Sequence, residues 1–363
     1  MSIGFIPVIY YTSLYYYILL FVVLATFFHT QILNISNRGN LNFIKTIGVF
    51  SLVFVVFYMG LRPISELFGD MVNYSNIFED YKAGNPIESL KDPLFHSFAL
   101  LSSKVMNITT FFLLCSILYI LPLYIVCKKW FKEYWFYGFL FLIISFSFWA
   151  YGTNGIRNGI ATSLFLLGIS RDKRVWQIVW ILLAIGFHKS MLLPTIGFVI
   201  VNFYNKPKQV IAFWFLCILL SLVGGKQFEI LFASLGLEDE RIGYLTTEAD
   251  ASKFSSIGFR WDFLFYSGTA VFAGWYYIVK KKFNDKKYFW LYNTYVFANA
   301  FWILVIQASF SNRFAYLSWF MMALIIVYPL LKQKLFKNQH KKIGFILLIY
   351  FIFTFFMNVI LVS

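Results

Sequence analysis

From Ile6 to Val362 the chain keeps returning to one pattern, an apolar run close to the length of a membrane helix followed by a short polar break. A bilayer core about 30 Å thick is crossed by roughly 20 apolar residues in a helix. Inside that core the backbone must satisfy its own hydrogen bonds, so helices are the element such runs dictate. The candidate spans are Ile6–Phe28, Phe43–Gly60, Ile108–Cys127, Tyr134–Ala150, Gly155–Ile169, Val210–Gly224, Phe259–Val279, Tyr288–Gln307, Arg313–Leu331 and Ile343–Val362. Residues 175–204 read as a broken hairpin, because basic runs flank both ends and polar residues interrupt the stretch at Gly186–Lys189. The expected fold is an all-α polytopic membrane protein of about twelve transmembrane helices. It forms a single integral membrane domain over residues 1–363, with both termini outside.

Composition removes the alternatives. The chain is 60% hydrophobic and 13% charged, with mean hydropathy +0.71, whereas soluble domains carry about 25% charged residues. A soluble globule, a disordered chain and a disulfide-stapled secreted domain are excluded. Cys115, Cys127 and Cys217 lie in apolar runs without metal-ligand spacing, so neither disulfide nor zinc is expected. The N-terminus shows no basic n-region, and the first apolar run is expected to be a retained helix.

The net charge of +15 is not a nucleic-acid footprint. Its lysines and arginines collect between spans, at Lys128–Lys132, Arg171–Arg174, Lys206–Lys208, Lys280–Lys287 and Lys332–Lys342, as cytoplasmic loops do. Two longer segments, the outer loops 61–107 and 225–258, are richer in acid. Glu66, Asp70, Glu79, Asp80, Glu88 and Asp92 lie in the first; Glu229, Glu238, Asp239, Glu240, Glu248 and Asp250 lie in the second. Pro93–Ser103 is apolar yet too short to span, and reads as an interfacial or re-entrant helix.

Ionisable groups within or beside membrane helices are costly and mark function. On the expected topology nearly all of them fall at one depth. Arg62 and Asp70 follow the second span; Arg157 sits one turn into a helix in YGTNGIRNGIA; His188 lies at the hairpin tip; Arg260 and Asp262 open one helix and Arg313 another. Helical spacing would place Asn154, Arg157, Asn158 and Ala161 on one face, with Gly152, Gly155 and Gly159 allowing close approach.

Such a set suits a diphosphate held at the membrane surface, because Arg makes forked, charge-assisted bonds to phosphate oxygens. Arg157, Arg313, Arg62 and Arg260 are the diphosphate candidates. His188 titrates near neutral pH and is a candidate base, with Asp70 as the other. Asn154, Asn158, Tyr74 and Asp262 are candidate sugar contacts. Each has a plainer reading: Arg near a helix end snorkels, and aromatic residues form belts at this depth. His29 and His340 read as structural, and His96 as outer but isolated.

The ordered series GLRP…GDMVNYSNIFEDY, IRNGIATSLFLLGI, FHKSMLLP and SNRFAYL resembles the EpsG-type branch of Wzy polysaccharide polymerases, over roughly Leu61 to Leu331. One departure is Asn158-Gly159 after Arg157, where a Gln-Ala-like pair is commoner. The resemblance implies a metal-independent, cofactor-free glycosyltransferase of the GT-C-like membrane type in the bacterial cytoplasmic membrane. It would join undecaprenyl-diphosphate-linked repeat units, donor and acceptor, into O-antigen, capsule or exopolysaccharide at the outer face. A flippase and a chain-length regulator are the partners implied. Arg157 and Arg313 would hold the donor diphosphate, Arg62 would support the loop or diphosphate, and His188 or Asp70 would act as base. The rival readings are a lipid-linked sugar transporter or flippase, which would carry polar groups through the full depth, and an O-antigen ligase.

Overall fold

The computed structural model describes residues 4, 6–87, 91–234, 258–308 and 311–361, and every regular element among them is helical. Much of the acidic part of the loop 225–258, from Glu238 to Asp250, lies outside the described residues, as does Glu88. Two compact units emerge. The first comprises residues 1–188 and 330–363, the second residues 189–329.

The first unit contains α1 (Val8–Ile32), α2 (Arg38–Gly60), α3 (Met71–Lys82), α4 (Pro93–Ser103) and α5 (Ile108–Phe131). It continues with α6 (Trp135–Ile143), α7 (Phe146–Thr153), α8 (Ile156–Ser170) and α9 (Arg174–Phe187). The second contains α10 (Leu192–Phe203), α11 (Pro207–Ser234), α12 (Trp261–Trp275), α13 (Lys286–Leu304) and α14 (Asn312–Trp319). α15 (Met322–Lys332) carries the chain back into the first unit, where α16 (Gln339–Phe355) packs on α1.

Among the described residues, six stretches are long and apolar enough to cross a membrane: Val8–Ile32, Arg38–Gly60, Ile108–Ile143, Pro207–Leu231, Asn312–Lys332 and Gln339–Ile360. This is fewer than the expected spans, for a physical reason. Several apolar runs are broken into short pieces rather than wound as one helix. The run expected at Tyr134–Ala150 is divided at Ser145 into α6 and α7, and α8 and α9 have only 15 and 14 residues.

Broken helices expose backbone carbonyls that lipid cannot satisfy. Tyrosine hydroxyls take up this task in the first unit. Tyr15 donates to the Ile143 carbonyl at the end of α6 (2.8 Å), and Tyr119 donates to Phe148 in α7 (3.2 Å). Tyr11 and Tyr58 exchange hydrogen bonds with each other's backbone carbonyls, at 2.7 and 2.8 Å, with their rings stacked 4.3 Å apart. That pair clamps α1 to α2. At the other end of α2, Asn40 accepts from Tyr137 of α6 (2.9 Å). Between α5 and α6 the chain reverses through Lys132, whose φ is +52°, so that Trp135 of α6 meets Tyr124 of α5 edge-on.

In the second unit α13 is the hub, contacting α10, α11, α12 and α14. Its Asn299 is fully buried with its amide satisfied on all sides. Trp214 of α11 donates to its oxygen (2.8 Å); its nitrogen donates to Ser267 of α12 and Ser318 of α14 (3.1 and 3.0 Å). Trp319 adds a bond to Ser267. The network fixes α14, the helix that carries Arg313.

Candidate active site

The site in the first unit grows from a local signal, an Asp followed by Pro. Pro93 occupies the first position of α4, where its missing N–H costs nothing. Asp92 before it adopts the left-handed region at φ +49°, ψ +54°, a strained state for a non-glycine residue. Its carbonyl accepts from Phe95 and His96, which starts the helix. The side chain is thereby aimed inward, and Asp92 is 4% exposed.

Three groups meet there. Asp92 Oδ2 accepts from Arg157 Nη1 at 2.9 Å and lies 3.9 Å from His188 Nε2. Arg157 comes from the first turn of α8, and its guanidinium lies over the rings of Tyr74 (5.7 Å) and Phe95 (5.9 Å). His188 caps α9 in an extended conformation and is 8% exposed. Burial pushes the Tyr74 hydroxyl up in pKa, and the Arg157 charge opposes that shift. His96, expected to be isolated, is 5% exposed with Nδ1 2.7 Å from the Tyr81 hydroxyl. Burial, then the Arg157 charge, lowers its pKa below the ordinary 6.5.

Asp70 and Asn154 belong to the frame of this site. Asn154 ends α7 rather than lying on α8, because Gly155 interrupts the helix with φ −94° and ψ +51°. The expected common face of Asn154 with Arg157 and Asn158 is therefore replaced by a break. Through that break the Asn154 side chain accepts from the Asp70 backbone N–H at 2.9 Å. Gly69 sits against it with φ +63°, and a Cβ there would lie 2.4 Å from the Asn154 amide carbon. Asp70 itself is half-buried at the start of α3, one helical turn from Tyr74. Asn158 is half-buried beside Arg157 in the first turns of α8. Gly159 faces the Tyr151 carbonyl, leaving no room for a Cβ, and Gly152 faces the end of the flexible Met59 side chain, whereas Gly155 has no such close neighbour.

Arg62 has a different setting from the other arginines. It is 2% exposed and donates to the carbonyls of Met59, at the end of α2, and Thr153, at the end of α7 (3.1 Å). Its guanidinium lies between the rings of Phe68 and Phe112. A cation there answers the negative ends of two helices at once. Burial brings its pKa down to about 10, so it stays charged at neutral pH.

The remaining candidates lie in the second unit. Arg260 forms a fork with Asp262 at 2.9 and 2.6 Å and covers the Phe263 ring. Arg313 is half-buried in the first turn of α14. Sequence reasoning had counted Asp92 only toward the acidic balance of its loop. The available signal was Asp-Pro at the head of the short apolar helix, a place where a buried carboxylate is held by backbone geometry.

The fold and these groups define a helical membrane protein with a buried, charged site at the broken ends of its helices. A family comparison gives the class a name: the EpsG family matches residues 45–363, so the chain belongs to that family, one of polysaccharide polymerase type acting in membranes. The match includes every candidate site residue. No curated protein and no solved structure matches the chain significantly.

Proposed function

We propose that the protein elongates a polysaccharide by joining undecaprenyl-diphosphate-linked repeat units at the outer face of the bacterial cytoplasmic membrane. The observation that carries this reading is the buried cluster of Asp92, Arg157 and His188 in a chain of the EpsG family. In this reading about twelve helices enter or cross the bilayer in a GT-C-like arrangement. A flippase supplies the lipid-linked units and a chain-length regulator attends the product.

The chemistry is a substitution at an anomeric carbon. A sugar hydroxyl of one repeat unit attacks C1 of another, the C1–O bond to the diphosphate breaks, and undecaprenyl diphosphate leaves with the electron pair. Arg157 holds the diphosphate and offsets the charge it gains in the transition state. His188 takes the proton from the attacking hydroxyl. Asp92 links the two roles. When Arg157 engages phosphate, its hold on Asp92 weakens, and the carboxylate becomes available to stabilise His188 as that imidazole becomes charged. The sugar contacts fall to Tyr74 and Asn158, and Arg62 supports the loop. The charge on the leaving diphosphate is borne by arginine, without a divalent ion.

The test is elongation of purified undecaprenyl-diphosphate repeat units by protein in lipid nanodiscs. Arg157→Ala and His188→Ala are each expected to abolish longer glycans while the protein remains folded. Wild-type elongation by both variants would sink the assignment.

A further inference from the structure

At the opposite end of α2 from Arg62, the first unit holds a cavity of about 510 Å³ to which the proposed polymerisation assigns no part. Its walls are residues 31–36 between α1 and α2, Tyr134, and residues 330–334 and 337–341 at the junction of α15 and α16. Lys332, Lys334, Lys337 and Lys341 line it together with His340, and among the described residues none of its lining is acidic.

The lysine-bearing segment is held in shape. The Gln339 side-chain oxygen accepts from the Leu335 backbone N–H at 2.6 Å, and its nitrogen donates to the Gln333 carbonyl at 2.9 Å. The floor is fixed as well. His340 is 5% exposed, with Nδ1 against the Leu33 carbonyl and Nε2 2.6 Å from the Tyr137 hydroxyl, which in turn donates to Asn40. α1, α2, α6 and α16 are thus joined under the cavity. Several lysines lie over aromatic rings, as Lys128 does over Trp135, Lys286 and Lys287 do over Trp290, and Lys342 of this segment does over Phe336. Here four lysines line one concave space on a pre-formed backbone. Lysine topology signals need no cavity, whereas a multiply charged anion needs both the charge and the shape.

From this geometry we infer that the cavity is a binding site for a phosphate-bearing anion, presented either by an anionic lipid headgroup or by a soluble diphosphate. The cavity adjoins the end of α15 and the start of α16, where apolar sequence gives way to lysine, which is headgroup depth. The inference is independent of the polymerase reading, and its failure would leave that reading untouched.

Full-length protein in phosphatidylcholine nanodiscs is titrated with inorganic pyrophosphate by calorimetry. In a second arm, lipids retained from mixed phosphatidylcholine–phosphatidylglycerol nanodiscs are identified by native mass spectrometry. Saturable pyrophosphate binding or selective retention of phosphatidylglycerol is expected, and the responding arm identifies the source. The triple variant K334Q/K337Q/K341Q should weaken that binding at least tenfold, while K206Q/K208Q/K282Q, which removes equal charge elsewhere, should leave it unchanged. No binding in either arm, or equal weakening by both variants, overturns the proposal.

Discussion

One carboxylate oxygen, Asp92 Oδ2, lies 2.9 Å from Arg157 Nη1, a partner 65 positions away in sequence. The pair is almost sealed, with side-chain exposures of 5% and 16%. A buried partner of this kind is costly to remove, because the charge left behind has lost its water as well as its counterion.

Asp92→Asn should therefore destabilise the protein by about 2–3 kcal/mol, the lower part of the range for one half of a buried pair. Elongation should fall at least a hundredfold. The double variant Asp92→Asn/Arg157→Gln should recover stability toward wild type without recovering activity. Thermal unfolding of the four proteins in detergent measures the coupling, and strictly additive losses would contradict the pairing.

Gly69→Ala meets two obstacles at one position, a positive φ and a Cβ 2.4 Å from Asn154. The expected cost is about 1–3 kcal/mol from the backbone, with the clash in addition. Asn154→Ala removes the clash but not the backbone strain. Adding it to Gly69→Ala should thus restore part of the lost stability, read out by thermal unfolding.

Arg62→Lys keeps a cation but loses the planar fork that reaches both Met59 and Thr153. Stability should drop, while KM for the lipid-linked donor, measured on the folded fraction, should stay within about twofold of wild type. A KM rise of about tenfold or more would place Arg62 on the substrate instead.

His96 gives a pH dependence with a defined sign. Burial lowers its folded pKa below 6.5, so the unfolded chain binds the proton more readily. Its contribution to stability is complete above the unfolded value. It is lost as pH falls below 6.5 toward the folded value. Unfolding followed from pH 7.5 to 5 should show a loss that His96→Gln reduces; identical pH curves for the two proteins would refute the assignment.

Asn299→Leu would orphan Trp214 Nε1 and remove both serine contacts. Hydrogen bonds between membrane helices average about 0.6 kcal/mol, so three of them predict a loss of roughly 2 kcal/mol. Chemical unfolding of the second unit's tryptophans reports it.

How much of this was legible beforehand follows from what each residue contacts. Apolar runs specify helices in a bilayer, and the helical class was plain from them. Helix breaks were harder to place. Ser145 interrupts a run whose hydropathy hardly changes, and the tyrosines that satisfy the freed carbonyls are far away in sequence. The candidate arginines were visible as charges in apolar surroundings, yet their partners were not. Asp92 serving Arg157, and backbone carbonyls serving Arg62, are decided by packing. Spacing places a side chain on an element; it does not reveal what a distant loop brings to it.

The clamped hairpin of α1 and α2 has a mechanical consequence. α2, 23 residues and about 34 Å long, is gripped near one end by the reciprocal tyrosine pair and at the other by Asn40. A rod held at both ends conveys tilt and translation with little bending. Ligand-driven movement at the lysine-lined foot of this rod would reach the Arg62 junction as a displacement rather than dissipate along the way. α2 is built as a lever, not a spring.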